Sequence, residues 1–193
     1  MQRFRREGHN KGVSATTSDA DLLILSRTNA DAFGEIYERH AKTVHRYLVR
    51  RIGAEPADDL LGDVFAIAVE GRMRVTIHAS GSALPWLYGI AKNVVRSYLR
   101  ARRSRAEPDV IEEFDWDAVD SRIDAAAKGA SLRHALAQLP PGELEVLLLV
   151  TWEQLTVTEA AESLGITAVA ARSRLHRARA RANAALSSKT TTR

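Results

Sequence analysis

Residues 84–103, LPWLYGIAKNVVRSYLRARR, constrain the fold most, because they carry two helical patterns at once. Apolar side chains recur at steps of three and four residues: Leu84, Leu87, Ala91, Val94, Val95 and Tyr98. Basic side chains recur at similar steps on another side: Lys92, Arg96, Arg100 and Arg103. This spacing predicts an amphipathic helix of about five turns, with one face in a core and the other suited to phosphates.

Two aromatic residues, Trp86 and Tyr88, stand at the start of this helix. Proteins that hold unpaired nucleic acid place aromatic rings beside cations, because bases stack on the rings while phosphates pair with the cations. A basic face that is merely solvated explains the same residues equally well. The rest of the chain must distinguish the two interpretations.

The formal net charge of +4 over 193 residues is unevenly distributed. Residues 1–18 are basic, residues 107–124 are strongly acidic, and the residues after Ala168 carry arginines and lysine without any acid. This order suggests two modules that face nucleic acid, joined by a segment that avoids it.

Several functional classes are excluded by what the sequence lacks. No apolar run approaches the ~20 residues that cross a bilayer, and no apolar segment of a secretory signal follows the basic start of the chain. There is no cysteine, and the six histidines have no metal-ligand spacing. No nucleophile–base pair and no glycine-rich phosphate loop is recognisable. We therefore expect a cytoplasmic, nucleoid-associated protein that is not an enzyme and has no membrane insertion, cofactor, metal or small-molecule substrate.

The first half of the chain reads as a flexible basic tail (residues 1–18) followed by a helical domain (residues 19–103). Ser18 and Asp21 form a capping-box pattern at the start of a short helix. An apolar stripe predicts a second helix that Gly53 ends: Phe33, Ile36, Tyr37, His40, Val44, Tyr47, Leu48 and Ile52. Pro56 suits the first turn of a third helix, whose inward residues are predicted to be Leu60, Leu61, Val64, Phe65 and Ala68. Residues 72–83 lack helical periodicity and are predicted to be a basic loop.

The third helix carries three acids, Asp58, Asp59 and Asp63, of which at least two share an exposed side. Acids near a helix N-terminus are favoured by the helix dipole and need no partner. A basic protein partner explains them as well, whereas a magnesium site on one exposed helix is less common.

An acidic linker (residues 104–129) is predicted to lead to a second helical domain (residues 130–186) and a short tail (residues 187–193). Thr156 and Glu159 form a second capping box, Gly165 suits a tight turn, and Thr167 is placed to cap a last, basic helix. This order is typical of a helix-turn-helix, whose second helix enters the DNA major groove. A small helical hairpin with a charged surface is the alternative.

The sequence resembles the two-domain bacterial sigma factors of the extracytoplasmic-function (ECF) group of the sigma-70 family. The resemblance runs over residues 19–186 and rests on several motifs in one order: AFGEIYERHAKTVHRYLVRRIG, ADDLLGDVF, PWLYGIAKNVVRSYLRARR, an acidic linker, LPPGELEVLLLV, LTVTEAAESLGIT and RSRLHRARARA. It implies an all-α protein that binds core RNA polymerase and directs it to promoter DNA.

The resemblance also implies site residues and partners. The third helix is expected to bind the clamp helices of the largest polymerase subunit through Asp59, Leu60, Asp63 and Phe65. The helix at 84–103 and the preceding loop are expected to contact and open the minus-ten element, with six candidate residues: Trp86, Lys92, Asn93, Arg96, Arg100 and Arg103. The last helix is expected to read the minus-thirty-five element: Thr167, Arg172, Ser173, Arg174, His176 and Arg177.

The resemblance implies two further contacts with the polymerase and one further partner. Apolar residues of 143–152 are expected to meet the flap of the second-largest polymerase subunit. The acidic linker is expected to pass through the active-site and RNA-exit region of the polymerase, and an anti-sigma factor is expected to cover the polymerase-binding faces.

The sequence departs from the family pattern in three places. Gly62 stands where glutamine is usual, and Ser97 stands where aspartate is frequent. Val169, Ala170 and Ala171 replace Gly-Thr-Val.

Two other functions fit parts of the sequence. A stand-alone transcriptional regulator with the same helix-turn-helix predicts specific binding to duplex DNA without polymerase. The second is an enzyme or an adaptor without DNA contact. Phosphate contacts make affinity for nucleic acid fall steeply with salt, so an affinity in a filter-binding assay that does not depend on salt would favour this alternative.

Overall fold

The computed structural model describes residues 17–76, 78–105 and 126–190, which form eight α-helices and contain no β-strand. Four helices belong to the first domain: α1 (Asp19–Leu25), α2 (Ala32–Ile52), α3 (Ala54–Gly71) and α4 (Leu84–Arg105). Four belong to the second: α5 (Ala126–Ala137), α6 (Pro141–Thr151), α7 (Val157–Leu164) and α8 (Ala168–Thr190). The predicted all-α fold of two helical domains is confirmed. In the part of the chain that is described, no helix is both long enough and apolar enough to cross a bilayer.

Parts of three predicted segments lie outside the described residues. They are the basic tail up to residue 16, the acidic linker from 106 to 125, and residues 191–193. The helices beside the linker are longer than expected: α4 continues to Arg105, and α5 already begins at Ala126, six residues before Leu132. Helix α8 likewise continues to Thr190.

Helix α1 starts at the predicted capping box and is fixed to its neighbours by one buried acid. The Ser18 hydroxyl accepts from the backbone N–H of Asp21 at 3.2 Å, and Asp21 in turn accepts from Ser18. Asp19 accepts from the backbone N–H of Ala83 at 2.9 Å, lies 2.6 Å from His40 Nε2, and accepts from Arg39 at 3.2 Å. Asp19 therefore joins α1, α2 and the segment that starts α4.

Helices α2 and α3 form a hairpin around Gly53, whose φ of 81° is the left-handed region that favours glycine. The apolar stripe of α2 packs against Val64, Phe65 and Ala68 of α3 as predicted. Tyr37 departs from the stripe because it is 44% exposed, although its ring still lies 4.8 Å from that of Phe65.

The second domain contains the predicted helix-turn-helix. Thr156 and Glu159 make the capping box of α7, and Gly165 ends that helix with φ 66° in the left-handed region. The hydroxyl of Thr167 accepts from the backbone N–H of Ala170 at 3.1 Å and caps α8. The buried residues of α8 are Ala171, Leu175, Ala178 and Ala182.

The two domains lie against each other, which the sequence did not indicate. Helix α7 packs on α8 on one side and on α4 of the first domain on the other. Three apolar residues of the second domain are buried in the core of the first: Leu149, Leu155 and Ala160. The described chain therefore has one continuous core across the domain contact, beside a smaller core within the second domain.

Candidate nucleic-acid and polymerase interfaces

Helix α4 presents three different faces. Leu87, Ala91 and Val95 are buried in the first domain, as the apolar periodicity predicted. Four of the six candidate minus-ten residues are exposed on the opposite side: Asn93, Arg96, Arg100 and Arg103. The third face, with Tyr88 and Lys92, packs against the second domain. The helix thus offers an accessible row of three arginines. The row lacks Lys92, which the sequence had placed in it.

The two aromatic residues at the start of α4 have separate environments. Trp86 is half-buried on the core, with its ring against Gly71 at the end of α3. Tyr88 is only 1% exposed, and its hydroxyl donates to Glu153 Oε2 at 2.9 Å. Burial, together with the negative charge of Glu153, raises the pKa of the Tyr88 phenol. The expectation that bases stack on Tyr88 is therefore wrong for this arrangement, because that ring lies inside the domain contact.

Lys92 is separated from the other cations of α4. Its ammonium donates to the backbone carbonyl of Leu164 at 3.3 Å and is half-buried there. Burial lowers the pKa of Lys92, an effect that nearby Glu145 opposes and Arg96 reinforces. In this arrangement the Lys92 charge is directed to the end of α7 and not to solvent.

The segment before α4 is a loop, as predicted. Gly81 has a φ of 74°, and its carbonyl accepts from the backbone N–H of Ala20 at 3.1 Å. Arg72 donates to the carbonyl of Ser26, so both ends of the loop are held by the neighbourhood of α1. His78 points to the second domain, where it lies 3.9 Å from Glu159 and 3.6 Å from Glu162.

The candidate polymerase-binding residues of α3 divide between surface and core. Asp59 and Asp63 are exposed, and Leu60 is half-buried. Phe65 is 5% exposed and makes an edge contact with Phe33, with ring centroids 6.5 Å apart. Phe65 supports this surface from below and does not extend from it. Oδ1 of Asp58 lies 2.8 Å from Nε2 of His45.

The candidate DNA-reading residues of α8 are mostly accessible. Arg172, Ser173, His176 and Arg177 are exposed, whereas the guanidinium of Arg174 lies against Gly142 at the start of α6. The carboxylate of Glu143 accepts from Arg177 Nε at 2.9 Å and from Arg181 Nη1 at 2.7 Å. Glu143 is itself buried, so it fixes the outward arginines of α8 relative to α6.

The apolar residues of α6 face inward. Val146, Leu147, Leu148 and Leu149 are buried, so the residues of 143–152 left near the surface are partly covered ones: Leu144, Val150 and Trp152. A contact of this region with another protein is therefore restricted to these three apolar side chains.

Sequence reasoning missed a cluster of charges around Glu153. This acid is 9% exposed and accepts from both Tyr88 and Arg50. Arg51 is 4% exposed, and its guanidinium stacks over the Tyr47 ring at 3.6 Å. The sequence contains one indication that Arg51 is buried. Arg51 follows Tyr47 by four residues and Leu48 by three, so it lies on the buried stripe of α2.

Comparisons with known proteins agree with the two-domain arrangement. Residues 36–105 match Sigma-70 region 2, and residues 129–181 match Sigma-70, region 4. RNA polymerase sigma factor CarQ of Myxococcus xanthus is 32% identical over 161 residues, which are 76% of this chain and 84% of CarQ. The RNA polymerase sigma-E factor of Streptomyces coelicolor is 32% identical over 155 residues, which are 77% of this chain and 85% of that protein. The chain belongs to the extracytoplasmic-function sigma factors of the sigma-70 family.

Two further relatives extend the comparison. The ECF RNA polymerase sigma factor BldN of S. coelicolor is 29% identical over 81% of this chain, which spans 62% of the length of BldN. The solved structure of CnrH in complex with the cytosolic domain of CnrY superposes with a TM-score of 0.63 at 25% identity, and the match covers 89% of this chain and 99% of CnrH. These relatives and the two matched regions support a promoter-directing sigma factor and do not favour a stand-alone regulator. Sigma factors as a family are not enzymes.

The residues at which this sigma factor departs from the family pattern lie in different environments. Gly62 is exposed on α3, and a side chain there would meet nothing within 4 Å. Ser97 is exposed on α4 beside Arg96. Val169 is 72% exposed, whereas Ala171 is fully buried against the second core. Of the three substitutions in α8, the one at Ala171 therefore affects packing and the one at Val169 alters the surface.

Proposed function

We propose that this sigma factor binds core RNA polymerase through its first domain (residues 19–103) and recognises promoters through both domains. Helix α4 and the loop before it contact and open the minus-ten element. Helix α8 of the second domain (residues 130–186) reads the minus-thirty-five element. The observation that carries the proposal is the row of exposed cations on α4, which stands in the same chain as an exposed, basic second helix of a helix-turn-helix.

The minus-ten contact rests on Asn93, Arg96, Arg100 and Arg103 on the exposed face of α4. The charges of the three arginines suit the phosphates of a separated strand, and Trp86, which is half-buried near the start of the same helix, adds an aromatic ring. Lys92 joins this set once its ammonium leaves the carbonyl of Leu164.

The minus-thirty-five contact rests on Arg172, Ser173, His176 and Arg177, which α8 exposes. Arg174 lies on Gly142 and must rotate to reach a base edge. Thr167 contributes through the cap that fixes the start of α8, and its exposed position also suits a phosphate contact.

The polymerase contact rests on Asp59, Leu60 and Asp63, with Phe65 holding the helix from inside. The partner is the clamp of the largest subunit, which the exposed acids of α3 contact. The flap of the second-largest subunit meets the partly covered apolar residues of α6, and the acidic linker passes near the polymerase active site. The protein therefore acts in the cytoplasm, at the nucleoid.

An anti-sigma factor is a further proposed partner, and it covers the polymerase-binding faces. The support for it is the likeness to CnrH, whose structure was solved with the cytosolic domain of CnrY. Binding to such a partner and binding to core polymerase are expected to exclude each other in a competition pull-down, and simultaneous binding contradicts occlusion.

Run-off transcription with core polymerase tests the proposal. Adding the protein is expected to give promoter-specific transcripts, and Arg96→Ala with Arg100→Ala is expected to reduce them at least tenfold. Arg46→Ala removes an exposed arginine from α2 and serves as the matched control. The absence of transcripts on every candidate promoter, together with no retention on core polymerase, contradicts the proposal. Specific duplex binding without polymerase supports the regulator.

A further inference from the structure

The first turn of α1 holds the end of the loop that leads into α4. The backbone N–H of Ala20 donates to the carbonyl of Gly81 at 3.1 Å, and the backbone N–H of Ala83 donates to Oδ2 of Asp19 at 2.9 Å. Two neighbouring residues of α1 thus bind the chain on both sides of Ser82. This is the point at which the loop enters the helix that carries the proposed minus-ten contacts.

Asp19 is itself fixed from α2. It is buried, and its Oδ2 lies 2.6 Å from Nε2 of His40. Its Oδ1 accepts from Arg39 at 3.2 Å, and the same guanidinium donates to the carbonyl of Thr17 at 2.7 Å. Hydrogen-bonded networks of this kind in a low-dielectric interior are rigid. The place of the Ala83 N–H is therefore set by α1 and α2 together.

Neither helix end requires Asp19 as its cap. The Ser18 hydroxyl and the Asp21 carboxylate complete the capping box of α1. At the start of α4, the hydroxyl of Ser82 accepts from the backbone N–H of Leu84 at 3.2 Å. The bond from Asp19 to the distant loop therefore fixes the path of the chain into α4.

The loop end has a shape of its own but needs an outside contact to orient it. The backbone N–H of Gly81 donates to the carbonyl of His78 at 2.8 Å, and that of Ser80 donates to Nδ1 of His78 at 3.1 Å. Bonds within a turn fix the shape of the turn, whereas its orientation relative to the domain depends on residues outside it. On the side of α4, the contacts with α1 supply that orientation.

We propose that Asp19 is a positioning residue for promoter opening, which holds the loop before α4 in the orientation that receives the separated minus-ten strand. The inference rests on the function proposed above and deepens its minus-ten contact. Asp19 is buried and acts through the N–H of Ala83, without touching DNA. Its loss is expected to impair the reading of bases by the loop, while Arg96 and Arg100 still bind phosphates.

Discrimination between single strands tests this role. The probe is a labelled oligonucleotide with the minus-ten sequence of a promoter that the wild type transcribes. Its affinity for the holoenzyme, formed from core polymerase and the full chain, is compared with that of a scrambled oligonucleotide by fluorescence anisotropy. Asp19→Ala is expected to lower the ratio of the two affinities about tenfold, the scale of a lost bond to a buried charged group. Wild-type discrimination by folded Asp19→Ala overturns the proposal.

Two conservative variants separate the position of the acceptor from its charge. Asp19→Asn keeps an oxygen in place for the Ala83 N–H and loses the charge, whereas Asp19→Glu keeps the charge and displaces it by one methylene group. We expect Asp19→Asn to retain most of the discrimination and Asp19→Glu to lose it. The reverse order, or equal discrimination by the two variants, contradicts the proposal, also where Asp19→Ala does not fold.

Ser18→Ala is the matched control for stability. It removes the cap of α1 and leaves the contacts of the loop intact, so it is expected to unfold more easily and to discriminate like the wild type. If Ser18→Ala loses as much discrimination as Asp19→Ala, the effect follows stability and the positioning role is wrong.

Hydrogen exchange of the chain without polymerase separates this inference from the proposed function. The backbone N–H of Ala83 is expected to exchange severalfold faster in Asp19→Ala than in Ser18→Ala, measured by NMR. Equal exchange overturns the positioning role, whether or not the protein stimulates transcription. A wild type that protects this amide but gives no promoter-specific transcripts with core polymerase contradicts the proposed function, and with it the role in opening.

Discussion

The hydroxyl of Tyr88 donates to Oε2 of Glu153 at 2.9 Å, across the contact between the two domains. The Tyr88 ring also lies 4.9 Å from that of Tyr47, which in turn carries the guanidinium of Arg51 on its face. One side chain of α4 thus connects the buried charges of the domain contact to the core of the first domain.

Replacing Tyr88 by phenylalanine is expected to lower the free energy of unfolding by about 1 to 3 kcal/mol, because a hydrogen bond to a buried carboxylate is lost. The phenylalanine ring keeps the contact with Tyr47, so the core should stay packed. Urea unfolding followed by circular dichroism measures the change. Tyr98→Phe, at a half-buried position of the same helix, is the control and should change stability less. Equal midpoints for Tyr88→Phe and the wild type contradict the importance of this bond.

Sequence reasoning predicted local features well, because their hydrogen bonds join residues close in the chain. The capping boxes at Ser18 and Thr156 and the glycine at position 165 each act within one helical turn. Tyr88 and Glu153 are 65 residues apart, and no periodicity relates them. The basic face of α4 was predicted as one surface. Its division between solvent and the second domain depends on how two folded domains pack, which no short stretch of sequence encodes.

Asp19 is expected to stabilise the first domain in a pH-dependent way. Burial raises the pKa of this carboxyl, but hydrogen bonds from His40, Ala83 and Arg39 outweigh burial and hold the pKa at about 2. Because the pKa is lower in the folded than in the unfolded state, the stabilisation is present above pH ~4 and is lost as pH falls toward 2. The shift corresponds to about 2 kcal/mol.

The measurement compares Asp19→Asn with the wild type in urea unfolding at several pH values. The difference in unfolding free energy is expected to be constant from pH 5 to 7 and to shrink between about pH 4 and 2. Asp31→Asn is the control, since Asp31 is exposed at the start of α2 without a side-chain capping bond. A difference that does not change with pH contradicts the assigned origin of the stabilisation.

Gly62 is expected to lower the stability of α3 without any packing benefit. A side chain at this exposed position meets nothing within 4 Å, so Gly62→Ala should raise the free energy of unfolding by up to about 1 kcal/mol. Thermal unfolding measures the gain as a rise in Tm of up to about 2 to 4 °C. Gly34→Ala, equally open but in the first turn of α2, is the control and should gain less.

Glutamine, the residue that is usual at position 62 in the family, leads to a separate prediction. Gly62→Gln is expected to bind core polymerase more tightly in a pull-down than Gly62→Ala, because the amide restores a polar contact beside Asp59 and Asp63. Equal retention of the two variants would show that only helix propensity matters here.

Glu143 is expected to restrain the positive charge of α8. Its carboxylate binds Arg177 and Arg181, whose side chains are about half exposed, so Glu143→Gln should release both guanidinium groups toward DNA. Binding to a duplex of random sequence should then tighten at low salt. The slope of log K against log salt should become steeper by about 1 for each arginine that gains a phosphate. Stability should fall only modestly, because glutamine keeps a hydrogen-bond acceptor at this buried position and water hydrates the two half-exposed arginines once they are released.

Fluorescence anisotropy with a labelled random duplex at several salt concentrations measures this slope. Glu38→Gln removes an exposed acid from α2 and controls for the change in net charge alone. On a promoter duplex with core polymerase, Glu143→Gln should lose discrimination between the correct and a scrambled minus-thirty-five element, because Arg177 is no longer fixed to α6. An unchanged salt slope with unchanged discrimination would show that Glu143 serves only the packing of α6 against α8.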